Sequence, residues 1–103
     1  MGEFVKVATT AEMENAQAGK AVEAGGQAVA LFRVGTEFCA IENVCPHRGA
    51  SLADGVLNGY EITCPWHAAR FDVRSGAVLC PPAPHGVRSF PVRVSGTDIE
   101  VEV

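Results

Sequence analysis

Two short segments, Cys45-Pro46-His47 and Cys64-Pro65-Trp66-His67, repeat one theme: a cysteine, a proline, then a histidine two or three residues on, with sixteen residues between His47 and Cys64. Two thiolates and two imidazoles are a full ligand set for a thiophilic metal site. For one site to use all four, two similar loops must be brought face to face. The chain must therefore fold so that positions nineteen apart meet.

The surrounding pattern predicts how. Short β-branched or aromatic runs alternate with glycine-containing turns at intervals of about ten residues, the signature of an all-β domain. Strands are expected at Phe4 to Ala8, Ala21 to Glu23, Val29 to Val34, Phe38 to Glu42, Val56-Leu57, Tyr60 to Thr63, Phe90 to Val94 and Ile99 to Val103. Turns are expected at Gly25-Gly26, Gly35 to Glu37, Asn58-Gly59, Ser75-Gly76 and Gly96-Thr97, because glycine accepts positive φ without steric cost. The stretch Thr9 to Gly19 permits one helical turn but has no sustained 3.6-residue period, and is expected as loop. Each Cys–His segment follows a strand, so each falls in a hairpin loop.

Composition narrows the function. A chain of 103 residues, 48% hydrophobic and 19% charged, suits one compact domain over residues 1–103. Its longest apolar stretch, Ala28 to Phe32, is far short of the roughly 18 residues that cross a bilayer. The beginning MGEFVKVATT lacks the apolar core of a secretory signal, which predicts a cytoplasmic protein. In that reducing compartment four cysteines point to metal or redox chemistry and away from a disulfide framework. A net charge of −4 with only eight scattered basic residues argues against a nucleic-acid partner. An acidic surface suits a basic docking patch on a protein partner.

The two boxes, with Gly49-Ala50-x-Leu52 after the first, Phe71-Asp72-x-x-x-Gly76 after the second and Pro81-Pro82-Ala83-Pro84 beyond, resemble the Rieske family over about residues 38–94. The resemblance implies stacked antiparallel hairpins with a two-loop cluster-binding part at about residues 43–85, and one [2Fe-2S] cluster per chain. Cys45 and Cys64 would bind a buried iron through sulfur; His47 and His67 would bind the outer iron through nitrogen and form the electron's exit. Ala68 departs from the family, where glycine commonly follows the second histidine.

Ring-hydroxylating members carry a further iron held by two histidines and a carboxylate, and a chain with three histidines in all has no second pair to offer. Respiratory members have a membrane anchor and an extra cysteine in each box, where this chain has Ala50 and Trp66. What the resemblance implies is a stand-alone ferredoxin, monomeric and not itself an enzyme. It would carry single electrons from a flavin-containing NAD(P)H reductase to the terminal oxygenase of an aromatic-ring dioxygenase system, away from any membrane. Two alternatives stay open: the small Rieske-like subunit of an NAD(P)H nitrite reductase, and a zinc-bound interaction module, since zinc also takes two Cys and two His. Ala69 and Phe71 stand where respiratory members place hydroxyl donors to the cluster, which implies a potential near the low end of the family's range, about −150 mV.

Other residues have plainer readings. Cys39 is expected as a buried small hydrophobe within its strand. Cys80 reads as an inert free thiol near the cluster loops, His85 as an exposed loop residue, and Trp66 as a packing residue or a shield over the cluster. Arg48 and Arg70 read as solvated loop charges, which in a ferredoxin would meet a partner's carboxylates.

Overall fold

The computed structural model describes residues 2–14, 19–46, 49–65, 69–80 and 85–103. Eleven strands form three antiparallel sheets among these residues. The terminal sheet has the order β1 (Phe4–Thr9), β11 (Asp98–Glu102), β10 (Val92–Ser95). The central sheet runs β2 (Gly19–Ala24), β3 (Gln27–Val34), β4 (Glu37–Glu42), β9 (Ser89–Phe90). The hairpin sheet is β5 (Val56–Asn58), β6 (Glu61–Thr63), β7 (Arg70–Asp72), β8 (Val78–Cys80). The all-β expectation holds.

The central sheet is the shared layer. Residues Val29 to Phe32 of β3 are all buried, and because alternate side chains point to opposite faces, they serve two cores. Val29 and Leu31 join Ala8, Met13, Phe90, Ile99 and Val101 against the terminal sheet. Ala30 and Phe32 join Ile41, Leu52, Ile62, Phe71 and Val73 against the hairpin sheet, together with Cys45 and Cys64. Each fully buried large side chain contributes about 1.5–3 kcal/mol relative to exposure.

The structure adds two strands that the sequence reading did not expect, β7 and β8, and departs from it at other places. Thr10–Glu14 is a helical turn, α1, within the stretch expected as loop. It starts at a capping box: the Thr9 hydroxyl accepts the Glu12 N–H at 3.3 Å, and a Glu12 carboxylate oxygen accepts the Thr9 N–H at 3.1 Å. The run expected as one strand from Phe90 to Val94 is two, divided at Pro91. Phe90 pairs with Ala40 of the central sheet while Val92 pairs with Val101 of the terminal sheet. Proline has no N–H for a ladder, and only its carbonyl pairs, accepting the Glu102 N–H at 2.9 Å. The β5–β6 turn is Gly59-Tyr60, one residue later than expected, because Asn58 pairs with Glu61. Glu37, expected in a turn, opens β4 by pairing with Val34.

A polar contact fastens the hairpin sheet to the central sheet. The Tyr60 hydroxyl donates to the Glu37 carboxylate at 2.5 Å. The Arg74 guanidinium lies 4.1 Å over the Tyr60 ring and is held by Asp72 at 2.9 Å. The bond to Glu37, with some burial and the carboxylate's charge, raises the Tyr60 pKa, and Arg74 opposes this. A second fastening is steric. A Cβ on Gly76, whose φ is +77°, would stand 2.0 Å from the Val87 carbonyl oxygen, which packs the β7–β8 turn against the chain leading to β9.

Two outcomes follow. Gly76→Ala combines left-handed strain with a backbone clash and should lose at least about 2–3 kcal/mol in denaturant unfolding, whereas Gly96→Ala, at φ +64° with open space, should lose only about 1 kcal/mol. Tyr60 is the one tyrosine, so ultraviolet titration reads it alone. Its ionisation should lie above the usual tyrosine range and return toward it in Glu37→Gln. The raised pKa favours the protonated form in the fold, so this contribution to stability is intact below the ordinary tyrosine pKa and fades as pH rises through the folded value.

Candidate metal centre

Cys45 and Cys64 occupy equivalent places in two loops of equal length. The Cys45 N–H donates to the Ala50 carbonyl at 2.9 Å, and the Cys64 N–H donates to the Ala69 carbonyl at 2.7 Å. In each loop the cysteine is thus tied to the fifth residue after it. The second loop leaves β6 at Thr63 and returns at Arg70, which is paired with Thr63. The first leaves β4 after Glu42 and is closed by the isolated Val44–Ser51 bridge.

Asn43 holds the base of the first loop. Its side-chain amide donates to the Ser51 hydroxyl at 2.9 Å, its side-chain carbonyl accepts the Ala53 N–H at 2.9 Å, and its backbone carbonyl accepts the Leu52 N–H at 2.7 Å. Within the loop Gly49 takes φ +74° and its N–H donates to the Cys45 carbonyl at 2.7 Å. The sequence reading missed Asn43. Its only signal was that a short amide side chain beside a loop is well placed to bond nearby backbone.

Both cysteines are almost fully enclosed, at 1% and 2% exposure, and both belong to the core between the central and hairpin sheets. The structure therefore buries the two predicted thiol ligands in the same core. His47 and His67 lie outside the described residues, as do Arg48, Trp66, Ala68 and Pro81 to Pro84. Among the described residues no group of three or more Cys, His, Asp or Glu side chains is placed to hold an ion. The donor chemistry fits an iron–sulfur centre: two soft sulfurs in an apolar surround at the inner ends of twin loops, and two imidazole-bearing residues on the same loops.

The remaining sequence-singled residues fall around this site. Cys39 on β4 is half-buried, not buried as expected, because it lies at the rim of the core beside the Tyr60 contact. Burial pushes its thiol pKa up, the Glu37 and Asp72 carboxylates add to this, and Arg74 opposes them. Little thiolate forms at neutral pH, so Cys39 is a poor nucleophile or ligand. Cys80 ends β8 opposite Arg70, one strand from the second loop. Arg70 is the first residue of β7, not a loop residue, and its exposed guanidinium stands 3.8 Å from Glu61. His85 is exposed, with a ring nitrogen 2.7 Å from the Gly86 carbonyl oxygen.

The acidic surface is not evenly spread. Residues 43–90, which hold both loops and the hairpin sheet, carry four basic and three acidic residues, a net +1; the rest of the chain carries four basic and nine acidic, a net −5. The net negative charge therefore lies outside the segment that holds the cysteines. The expectation of a basic docking patch opposite an acidic surface does not carry over to this end of the molecule.

Comparison with known proteins accords with the geometry. The family model described as the Rieske [2Fe-2S] domain matches residues 3–91. The ferredoxin component of the p-cumate 2,3-dioxygenase system of Pseudomonas putida is 47% identical over 79 residues, spanning 76% of this chain and 67% of that protein. Among solved structures, the ferredoxin of carbazole 1,9a-dioxygenase from Nocardioides aromaticivorans IC177 superposes with a TM-score of 0.89 at 39% identity, covering 95% of each chain. A chain in the complex of reduced oxygenase and oxidized ferredoxin in carbazole 1,9a-dioxygenase superposes with a TM-score of 0.87 at 32% identity, covering 96% of this chain and 92% of that one. No helix among the described residues is long and apolar enough to cross a membrane. With its twin cysteine loops, its three-sheet architecture and these relatives, the chain belongs to the Rieske [2Fe-2S] domain family and carries one [2Fe-2S] cluster.

Proposed function

We propose that this chain is the ferredoxin of an aromatic-ring dioxygenase system, taking single electrons from a flavin-containing NAD(P)H reductase and handing them to a terminal oxygenase in the cytoplasm. The observation that carries the reading is the pair of equivalent loops that enclose Cys45 and Cys64 in one apolar core, in a chain 47% identical to a dioxygenase ferredoxin. Cys45, His47, Cys64 and His67 are the residues assigned to hold the cluster, within a single domain over residues 1–103. When bound, the cluster supplies a one-electron couple and no bond-making chemistry.

The chain's own residues set how that couple behaves. Burial of Cys45 and Cys64 keeps water from the sulfur side. Ala50, Leu52, Ile62, Ala69 and Phe71, all nearly or fully buried around them, make that side apolar. Neither the Ala69 nor the Phe71 side chain has a hydrogen-bond donor. A donor to sulfur favours the reduced, more negative state, so its lack holds the potential low, about −150 mV. That level suits a carrier placed between a reduced flavin and an oxygenase.

The test is reconstitution: the purified chain, mixed with the reductase and oxygenase components of the p-cumate 2,3-dioxygenase system and NADH, should support substrate-dependent oxygen uptake that neither component alone sustains. No uptake, in a chain carrying full cluster, would refute the reading. For the ligands, wild-type protein should hold about two irons and two sulfides per chain with a reduced EPR signal of low average g, while Cys45→Ser and Cys64→Ser lose both. Stoichiometric zinc without labile sulfide in anaerobically purified protein would contradict the assignment. For the potential, Ala69→Ser should raise it by about 40 mV, taking one hydrogen bond as about 1 kcal/mol and about 59 mV as 1.4 kcal/mol for one electron. Protein-film voltammetry reads the shift.

A further inference from the structure

Four large apolar side chains are the most exposed among the described residues, and three of them, Val44, Val56 and Leu79, lie within residues 43–90. Two of these three stand on one surface. In the hairpin sheet Val56 is paired with Thr63, and Thr63 with Arg70. On β8 the register shifts between Cys80, opposite Arg70, and Val78, opposite Phe71, so Leu79 is the extra residue of a bulge beside Arg70. Directly paired residues share a face. The inward face belongs to Leu57, Ile62, Phe71 and Val78, which pack on the core. The outward face presents a row of Val56, Thr63, Arg70 and Cys80 across all four strands, about 14 Å long at the usual strand spacing, with Leu79 beside Cys80 in the bulge.

Val56 is 70% exposed and Leu79 50%. Between them, Val56, Thr63 and Arg70 line a shallow concavity of about 280 Å³ with Asn58 and Glu61. The row is also the last one before the second cysteine loop, since Cys64 follows Thr63 and Ala69 precedes Arg70. The ion pair of Arg70 with Glu61, at 3.8 Å, is loose and exposed, of the kind that contributes little and exchanges readily.

We propose that this row is the centre of a docking surface for the oxygenase component, which meets it with an apolar patch that carries a carboxylate. The proposal rests on the electron-carrier reading and adds the place and the chemistry of contact. The carboxylate pairs with the Arg70 guanidinium, which presents two parallel donors to it, and apolar side chains cover Val56 and Leu79. An arginine flanked by apolar contacts is the composition of interface centres that dominate binding. The sign of the partner follows from charge. This end of the chain is net +1, falling to about zero once the cluster is reduced, and the rest is net −5, so an acidic partner is repelled by the remainder and meets this end, whereas a basic partner would draw the wrong end. A second copy of the chain is a poor occupant: two-fold pairing centred on this row would place Arg70 against its own equivalent.

The experiment uses cluster-loaded protein with the p-cumate 2,3-dioxygenase oxygenase and its reductase, the latter held saturating. Arg70→Glu should raise the KM for the ferredoxin about tenfold at low salt with kcat within about twofold, and the ratio should shrink as ionic strength rises from about 20 to about 300 mM. Val56→Ser combined with Leu79→Ser should raise KM several-fold, while Val94→Ser, an exposed valine on the terminal sheet, should not. The iron and sulfide content and the EPR spectrum of each variant should match wild type, which separates a docking effect from damage to the cluster. Absence of wild-type turnover would overturn the electron-carrier reading and this inference with it. Given wild-type turnover, an unchanged KM in Arg70→Glu would overturn the docking surface alone. A lowered KM would show a basic partner, and a wild-type dimer in sedimentation that Val56→Ser dissolves would show a second copy; either overturns the proposal.

Discussion

The rest of this structure depends on two thiol side chains being buried in one core. Cys45 and Cys64 are contributed by different hairpins, and their loops are each closed by the same cysteine N–H to carbonyl bond across five residues. That placement needs a wall on each side. The central sheet supplies one through Ala30, Phe32 and Ile41, and the hairpin sheet the other through Ile62, Phe71 and Val73. The terminal sheet, in turn, covers the opposite face of β3, so that the wall is itself a buried layer. A metal held between such loops couples its binding free energy to folding, because the unfolded chain has no site.

Much of this was legible in the sequence because the relevant physics is local. Glycines at Gly25, Gly35, Gly59 and Gly96 mark tight turns through positive φ, and the short β-branched runs between them gave the strands. The two ligand boxes were legible because spacing within a loop is also local. The α1 turn was legible too, and was missed: Thr9-x-x-Glu12 is a capping box, but a search for 3.6-residue periodicity does not see a single turn. Pro91 carried a similar local warning that the expected strand over Phe90 to Val94 could not run through one ladder.

What the sequence did not disclose is long-range. Tyr60 meets Glu37 twenty-three positions away, and neither residue signals the other. The close approach of Gly76 to Val87 is likewise set by how two segments pack, although Gly76 itself had been read as a turn residue. The distribution of charge is a third case. The net −4 is a sum over the chain, and only the topology shows that the cysteine-bearing part lies on the positive side of it.

The claim that the cluster is the cross-link between two otherwise independent loops has a direct measurement: hydrogen exchange by mass spectrometry, comparing cluster-loaded and cluster-free protein at peptide level. The account predicts that peptides spanning 43–52 and 62–71, which contain the Cys45 and Cys64 amides, lose protection by about two orders of magnitude or more without the cluster, while the peptide over Val29 to Phe32 changes far less. Equal protection of the two loops in both forms would contradict it.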